Sequence, residues 1–376
     1  MNTNVKSKGR VIVAMSGGVD SSVAAYLLKE EGYEVIGVTM RLWSVEENSI
    51  SAFNKRCCSV EDVEDARRVC DAIGARHYFM NFEREFQKHV VDYFISEYER
   101  GRTPHPCLAC NDKIKFDFLL RRAMFMEADY IATGHYARIR NSEGGYKLLK
   151  GRDGGKDQSY VLFTLTQKEL AKLLLPVGEH PKQAIREIAA KAELSVADKP
   201  DSQEICFIPD GDYRKFVGER AEPKPGEMIN ASGEILGQHP GIQFFTIGQR
   251  RGLGLKGNSG EPMFVTQINA DNNQITLGKQ EDLFQSDFWA SKVNFTGTDL
   301  PQGPLNVTAK IRYKATEAPA TLEYGNGVAQ IHFEEPQRAI TPGQAVVFYQ
   351  GEEVLGGGII ELKNPIRSPE KPVAQR

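Results

Sequence analysis

Residues 16–21 read Ser-Gly-Gly-Val-Asp-Ser, between an apolar run of strand length, Val11–Met15, and a stretch of helical character, Ser22–Lys29. Gly17 and Gly18 permit positive φ and a close approach of the backbone to a ligand. The N–H groups of such a turn converge at a helix N-terminus, where the helix dipole favours negative charge. A strand, a glycine turn and a helix in this order predict an anion site. It is not the common P-loop, because no Gly-Lys-Ser/Thr follows the glycines.

The composition sets mild limits on the function. The 376 residues leave room for two or three domains. No apolar run approaches the roughly 20 residues of a membrane span, and the first ten residues have no hydrophobic signal core, so we expect a cytoplasmic protein without a membrane partner. The net charge of −3 does not indicate a nucleic-acid binder, so a basic surface would have to be local. Candidates, each of which could equally be a solvated face, are 121–122, 250–251 and 312–314.

The pattern of the chain changes near Phe207. Before it, strand-length apolar runs alternate with helical patterns, which predicts a parallel sheet covered by helices, with ligands at the carboxyl ends of the strands. Beyond it, short β-type runs alternate with turn residues, which predicts a mixed, β-rich region and then an antiparallel barrel. Beyond the first strand and helix we expect strands at 33–39, 77–80 and 128–133, and helices at 60–73, 83–98, 113–123, 168–174 and 181–192. The expected domains are α/β over 1–208, central β-rich over 209–285, a β-barrel over 286–363 and a disordered tail over 364–376.

Six cysteines in a cytosolic chain are expected to be thiols or metal ligands rather than structural disulfides. Cys107 and Cys110 stand three residues apart at the start of a predicted helix, where a thiolate is favoured as nucleophile or metal ligand. Cys206 lies in the segment Asp-Ser-Gln-Glu-Ile-Cys-Phe, 201–207. No second Cys/His pair has the spacing of a zinc site. We interpret the remaining cysteines as structural or incidental: Cys57, Cys58 and Cys70.

Residues 16–21 resemble the pyrophosphate loop of enzymes that cleave ATP between the α- and β-phosphates. Combined with the other segments, nearly the whole chain resembles the tRNA-specific 2-thiouridylases, which replace the C2 oxygen of the wobble uridine with sulfur. The loop alone is shared by many synthetases, whereas its combination with the cysteine segments is specific. The matching segments are 14–21, Cys110-Asn111 with 114–116, 133–136, 156–160, 201–207, 246–250 and Arg312-Tyr313.

The resemblance implies a transferase that uses ATP and Mg²⁺. AMP is transferred to the C2 oxygen, which turns it into a leaving group, and sulfur then attacks C2. Asp20 and Ser21 would help to bind Mg²⁺ and pyrophosphate, while Met40 and Gly134 would line the adenine site. The implied nucleotide-binding residues are Ala14, Met15, Ser16, Gly17, Gly18, Val19, Asp20, Ser21, Met40 and Gly134.

The resemblance also implies contacts with tRNA. Lys156 and Arg312 suit phosphates, and Tyr313 or His135 could stack on a splayed base. The wobble uridine must be flipped out to reach the nucleotide. His105 departs from the asparagine usual at its position. The implied tRNA-binding residues are His105, Pro106, Cys107, His135, Lys156, Asp157, Gln158, Arg312, Tyr313 and Gln344.

Two routes for the sulfur are open. In one, Cys206 carries a persulfide from a cysteine desulfurase or sulfur-relay protein, and Cys110, the implied nucleophile, forms a disulfide with it. In the other, Cys107, where many relatives have aspartate, joins Cys110 and Cys206 as ligands of a [4Fe–4S] cluster whose fourth iron binds hydrosulfide. A third interpretation leaves Cys107 merely packed. Apart from tRNA we expect a monomer.

Two rival functions belong to other classes: an adenylating synthetase for a small molecule, or a non-enzymatic RNA-binding protein with a relic nucleotide fold. The first leaves the three cysteines without a purpose, and the intact loop disfavours the second.

Overall fold

The computed structural model describes residues 7–43, 60–201, 205–208, 210–255 and 261–365. The helices are α1 (Val19–Glu30), α2 (Val60–Ala72), α3 (Glu83–Phe86), α4 (Asp92–Glu99), α5 (Pro106–Ala109), α6 (Leu120–Phe125), α7 (Gln167–Leu170), α8 (Lys182–Lys191) and α9 (Tyr213–Gly218). π-helical segments join α3 to α4 (Gln87–Val91) and α5 to α6 (Cys110–Leu119). Short 3₁₀ turns cover Ser159–Leu162, Pro176–Glu179, Ile242–Phe244 and Glu281–Leu283.

The strands of the first half are β1 (Arg10–Ala14), β2 (Glu34–Arg41), β3 (Arg76–Asn81), β4 (Tyr130–Ala132), β5 (Ala137–Ser142), β6 (Gly145–Lys150) and β7 (Leu173–Leu174). Those of the second half are β8 (Gly226–Ile229), β9 (Ile235–His239), β10 (Phe264–Asn269), β11 (Gln274–Gly278), β12 (Phe284–Phe295), β13 (Leu305–Lys310), β14 (Ala318–Gly325), β15 (Val328–Arg338), β16 (Ala345–Gln350) and β17 (Glu353–Glu361).

A parallel sheet in the order β3-β2-β1-β4-β7 forms the centre of the α/β domain. Val11, Ile12 and Val13 of β1 are fully buried, as a strand covered by helices on both faces requires. The strand order reverses between β1 and β4, so the loops after these two strands open a crevice at the carboxyl edge of the sheet. The predicted fold class, a parallel α/β domain followed by a mixed sheet and an antiparallel barrel, is confirmed.

One expected helix, at 168–174, is wrong in its second half. The helix α7 ends at Leu170, and Leu173–Leu174 form the edge strand β7. Leucines at 170, 173 and 174 have helical spacing, but the backbone of β4 needs acceptors on this side. The N–H of Ile131 donates to the carbonyl of Lys172 at 2.8 Å. Because a buried N–H needs an acceptor, this hydrogen bond favours a strand over a helix here.

The central region contains a four-stranded sheet in the order β10-β11-β8-β9, with β8 and β11 parallel. The helix α9 precedes this sheet, yet its Phe216 and Val217 pack into the core of the α/β domain, where the Phe216 ring lies 5.2 Å from that of Phe207. The chain therefore passes from one region to the other without an independent linker.

The C-terminal barrel closes in the order β12-β15-β14-β13-β16-β17, with β12 paired back to β17 and every pair antiparallel. The hairpin β5–β6 comes from the α/β domain, and it extends this barrel sheet because Leu149 pairs with Glu353. Val347 and Val354 of the barrel pack in the same core as Phe86 of the α/β domain. The α/β domain and the barrel thus share a sheet and a core.

No helix within the described ranges is long and apolar enough to cross a bilayer. Of the expected disordered tail, residues 366–376 lie outside the described residues.

Candidate active site

The glycine loop between β1 and α1 has a shape that requires glycine at position 17, whereas Gly18 has an ordinary extended backbone with φ of −97°. Gly17 has φ of +68°, and a Cβ there would lie 2.3 Å from the carbonyl oxygen of Asp62 in α2. Ser21 closes the loop, because its Oγ accepts from the Ser16 N–H at 3.2 Å and donates to the Gly18 carbonyl at 3.2 Å. No side chain caps α1 at Gly18, which leaves the helix N-terminus to a ligand.

The predicted nucleotide residues meet at the carboxyl edge of the sheet. Ala14 ends β1, Met40 lies near the end of β2 and Gly134 follows β4. A Cβ on Gly134 would lie 2.7 Å from the carbonyl carbon of Asp20 and the nitrogen of Ser21. The backbone just after β4 therefore lies directly against the first turn of α1. Met40 is 6% exposed and packs in the core, and its role in lining the adenine site stays a prediction.

Asp20 is bound from two sides. Its Oδ1 accepts from the Tyr136 hydroxyl at 2.7 Å and from Lys182 Nζ at 2.7 Å, and its Oδ2 accepts from Lys182 at 2.9 Å. Burial and the hydrogen bond to Asp20 raise the pKa of Tyr136, so this hydroxyl remains a donor at neutral pH. A carboxylate such as that of Asp20 is the type of ligand that Mg²⁺ prefers, and its binding of Mg²⁺ stays a prediction.

A second carboxylate, Asp201, forms ion pairs with three neighbouring cations. Lys156 donates to its Oδ2 at 2.9 Å, and Lys182 and Arg186 each approach its Oδ1 to 2.9 Å. Burial alone would raise the pKa of Asp201, but Lys156 and Lys182 outweigh it and lower the pKa to about 2. Sequence reasoning missed Lys182 and Arg186, because α8 lies about 160 residues after the loop and only the fold brings them there.

The cysteine segment begins a helix that continues from α5 through the π-helical segment into α6. His105 caps it, since Nδ1 accepts from the Leu108 N–H at 3.3 Å. Burial lowers the pKa of His105 to about 4, so the ring stays neutral and able to accept. Cys107 is exposed in the first turn and Cys110 is half-buried one turn later. Both thiols lie near the positive end of this helix.

The residues before the cysteine helix are held by the other two domains. Gln344 of the barrel donates to the carbonyls of Thr103 and Pro104 at 2.9 and 3.2 Å. The hydroxyls of Thr103 and Thr246, in the central region, lie 2.7 Å apart. Gln344, predicted to contact tRNA, therefore also fixes the entry to the cysteine helix.

Cys206 is half-buried and, like Cys110, packs at the edge of the main core. None of the described cysteines is in a disulfide. Among the residues that the structure describes, no group of three or more His, Cys, Asp or Glu side chains could hold a metal ion, and the cluster of Cys107, Cys110 and Cys206 stays a prediction.

Cys70 is fully buried, and burial followed by the neighbouring Asp71 raises its pKa to about 11, which supports its interpretation as a core residue. Cys57 and Cys58 lie outside the described residues.

Several predicted tRNA residues surround the buried ring of Tyr160. The His105 and Tyr313 rings lie 5.8 and 6.1 Å from it. Burial, Asp157 and Cys107 together raise the pKa of Tyr313, so the cysteine helix, the 156–158 turn and the barrel converge here. Tyr160 itself donates to the Ala345 carbonyl at 2.8 Å, which anchors the cluster to the barrel.

Other predicted tRNA residues are partly engaged within the protein. Asp157 accepts from the N–H groups of Gly151 and Ser159, and Gln158 accepts from the Tyr136 N–H at 2.9 Å. Arg312 donates to the Arg338 carbonyl, while its Nε is buried with no hydrogen-bond partner among the described residues.

His135 is only 8% exposed. Its Nδ1 lies 2.7 Å from the Thr133 hydroxyl, and its ring lies 6.2 Å from that of Phe116 in the cysteine helix. Burial, then Lys115, lowers the pKa of His135 far below its usual range. Gly134 and His135 thus join the nucleotide loop to the cysteine helix.

Comparison with known proteins agrees with this arrangement. Family models match residues 9–210 (tRNA methyl transferase HUP domain), 214–279 (tRNA methyl transferase PRC-barrel domain) and 285–360 (Aminomethyltransferase beta-barrel domain). The tRNA-specific 2-thiouridylase MnmA of Carboxydothermus hydrogenoformans is 51% identical over 365 residues, which cover 96% of this chain and all of the relative. The chain belongs to the tRNA-specific 2-thiouridylase family.

A second 2-thiouridylase, from Clostridium perfringens, is 49% identical over 94% of this chain and 99% of its own. Among solved structures, NMN synthetase from Francisella tularensis is 16% identical over 53% of this chain and 68% of its own, with a TM-score of 0.31 that is too low to carry an argument. Membership in the 2-thiouridylase family confirms the family and the enzyme class, a sulfurtransferase, that the motifs indicated. It disagrees with both rival functions.

Proposed function

We propose that this chain catalyses the ATP-dependent 2-thiolation of the wobble uridine in tRNA. Beyond family membership, the proposal rests on one observation. The dipeptide Gly134-His135 contacts both the glycine loop, where a nucleotide would bind, and the helix that contains the cysteines. Gly134 packs against the first turn of α1 at the glycine loop, and the His135 ring packs beside Phe116, six residues after Cys110. An activated base held between these elements would be within reach of a nucleotide and a thiol.

The nucleotide half of the site supplies adenylation. The C2 oxygen of uracil is a poor leaving group until it attacks the α-phosphorus of ATP and becomes bonded to AMP. The loop N–H groups and the α1 N-terminus would hold the phosphates. Asp20 would hold Mg²⁺, which neutralises the phosphate charge when bound.

The tRNA half of the site is proposed to extend from the 156–158 turn to the barrel. Lys156 is exposed beside the loop, and Arg312 and Tyr313 lie on the barrel side of the Tyr160 cluster. Such a surface would bind the anticodon loop through contacts with its phosphates and through stacking of aromatic side chains on its bases, while the wobble base is flipped inward. His105 caps the cysteine helix and Tyr313 lies close enough to Cys107 for its pKa to respond to that thiol, which favours both rings for base contacts.

Sulfur is proposed to travel through Cys206 and Cys110. A donor protein, a cysteine desulfurase or a sulfur-relay protein, would leave a persulfide on Cys206. Its terminal sulfur attacks C2 and AMP departs with the oxygen. The Cys110 thiolate then attacks the Cys206 sulfur, which releases the 2-thiocarbonyl and leaves a disulfide that a thiol reductant must reduce.

The alternative route, a [4Fe–4S] cluster held by Cys107, Cys110 and Cys206, has less support, because the described residues contain no group of three metal-ligating side chains. A tRNA substrate and this thiol chemistry both favour the cytoplasm, and we expect a monomer outside the tRNA complex.

The test is tRNA-dependent formation of AMP together with 2-thiouridine. Unmodified tRNA, MgATP and a persulfide donor are incubated with wild type, Asp20→Ala, Cys110→Ala and Cys206→Ala. We expect Asp20→Ala to lose AMP formation while it still binds tRNA. The two cysteine variants should bind tRNA and lose thiolation. A matched tRNA with cytidine at the wobble position should give neither product. The proposal would be contradicted if AMP formed at the same rate without tRNA, or if Cys206→Ala thiolated tRNA at the wild-type rate.

A further inference from the structure

We propose that Lys182 is a phosphate-binding residue of the ATP site and holds the departing pyrophosphate. It is the first residue of α8 and is 9% exposed. Its ammonium donates to both oxygens of Asp20, at 2.7 and 2.9 Å, and lies 2.9 Å from Asp201 Oδ1. The inference rests on the proposed function, because it assumes that ATP is cleaved at this loop.

The position of Lys182 is unfavourable for a purely structural lysine. The N-terminus of a helix carries partial positive charge, so a cation at the first position of α8 is disfavoured by its own helix. Burying an ammonium between carboxylates also removes it from water, and the free energy lost in this desolvation is often as large as that gained from the ionic attraction. A buried ion pair is therefore weak evidence for a role in stability. A lysine at this position is better explained by a bound ligand than by a contribution to stability.

The charges around Lys182 leave room for an anion. Three carboxylates, Asp20, Asp153 and Asp201, face three cations, which are Lys156, Lys182 and Arg186. The N-terminus of α1 adds partial positive charge on the same side of Asp20. The side-chain charges therefore balance before any Mg²⁺ arrives, and a bound Mg²⁺ together with the α1 N-terminus would make the site positive. A pyrophosphate group bound at the loop has the opposite charge and would complete the site.

Asp20 and Asp201 hold Lys182 ready for this role. An ammonium has three donors. When Asp20 binds Mg²⁺, Lys182 keeps Asp201 and can direct its other donors to phosphate oxygens. Asp201 is suited to this anchoring, since its lowered pKa keeps it ionised at neutral pH.

The reaction places new charge within reach of this residue. The C2 oxygen bonds to the α-phosphorus, the bond from the α-phosphorus to the bridging oxygen breaks, and the electron pair stays on pyrophosphate. A fixed cation at the leaving group interacts more strongly with the transition state and with pyrophosphate than with ATP. Lys182 should therefore affect kcat and pyrophosphate affinity more than the affinity for AMP.

The experiment uses magnesium pyrophosphate as the probe of the full-length protein. Inhibition of AMP formation by pyrophosphate and by AMP is measured for wild type, Lys182→Met, Lys182→Arg and the matched control Lys191→Met. Lys191 is exposed at the other end of the same helix. We expect Lys182→Met to lower kcat roughly 100-fold, the usual effect of removing one charge-stabilising donor. Its inhibition constant for pyrophosphate should rise at least about 10-fold with that for AMP nearly unchanged, as expected when a charge-assisted hydrogen bond is lost. Lys182→Arg should recover part of both effects, and Lys191→Met should match wild type.

Unchanged pyrophosphate inhibition in Lys182→Met would overturn the proposal. Equal weakening of AMP and pyrophosphate, together with a lower melting temperature, would show that Lys182 only supports the fold and would overturn it as well. Should Lys182→Met fail to fold, Lys182→Gln replaces it with the same criteria. Calorimetric titration of magnesium pyrophosphate needs no turnover, so it tests Lys182 even if tRNA-dependent AMP formation is not found.

Discussion

Replacing Gly134 by alanine tests how closely the end of β4 must approach the nucleotide loop. The added Cβ would lie 2.7 Å from the carbonyl carbon of Asp20 and from the nitrogen of Ser21, about 0.7 Å short of an ordinary contact of 3.4 Å. Both neighbours are backbone atoms in the first turn of α1, so no side chain can rotate away. The loop and helix must move by most of that distance. Because a displacement of about 1 Å at an active site can cost about 100-fold in rate, we expect a loss of roughly 10- to 100-fold.

The assay is tRNA-dependent AMP formation over a range of ATP concentrations, with tRNA affinity measured separately. We expect a lower kcat or a higher KM for ATP in Gly134→Ala and unchanged binding of tRNA. Gly144→Ala is the matched control, since that glycine lies in the β5–β6 turn with nothing within 4 Å of an added Cβ. Wild-type kinetics in Gly134→Ala would refute the close approach of β4 to α1 as a requirement of the site.

The remaining predictions concern the RNA surface, the thiols and Asp201. Arg312→Ala should weaken tRNA binding. It should also reduce the slope of log affinity against log salt concentration by about one, the contribution of a single phosphate contact. An unchanged slope would show that Arg312 does not contact the tRNA. Cys107→Ser should keep substantial thiolation without iron, because the proposed route uses only Cys110 and Cys206; joint loss of iron, visible absorption and activity in anaerobic protein would restore the cluster mechanism. Asp201 has a folded-state pKa of about 2 against an ordinary 3.8, so its stabilising contribution is present at neutral pH and lost as the pH falls from about 4 to about 2. Asp201→Asn should therefore lower the free energy of unfolding by about 2 kcal/mol at pH 7 and by less at pH 3, which urea unfolding measures; an equal loss at both pH values contradicts the ion-pair explanation.

The sequence was sufficient for the parallel sheet and the glycine loop because both depend on local patterns. The fully apolar β1 and the glycines that follow it require a buried strand and a tight turn wherever they occur. Residues 168–174 show the limit of such patterns. Their leucine spacing suits a helix, whereas the backbone of β4 needed a partner strand, and that requirement appears only in the folded chain.

The charged part of the site could not be predicted for the same reason. Asp20 was identified from its place in the loop, but Lys182, Arg186 and Asp201 reach it through the packing of α8, which no spacing in the chain encodes. Gln344 was identified only through the family resemblance. Its bonds to Thr103 and Pro104 show a second use that depends on the barrel docking against the α/β domain.

The pairing of β6 with β17 has a consequence for the synthesis of the chain. Leu149 meets its partner Glu353 only after 204 further residues have been made. At about 5–20 residues per second, this leaves an unpaired strand edge and an incomplete core for roughly 10 to 40 seconds on the ribosome. A chain released before that point would contain the glycine loop, the cysteines and Lys182, yet lack Val354, which belongs to the core against which Cys110 and Cys206 pack. Such a chain is expected to aggregate rather than to retain partial activity, so truncation near the C-terminus should be as damaging as a mutation in the active site.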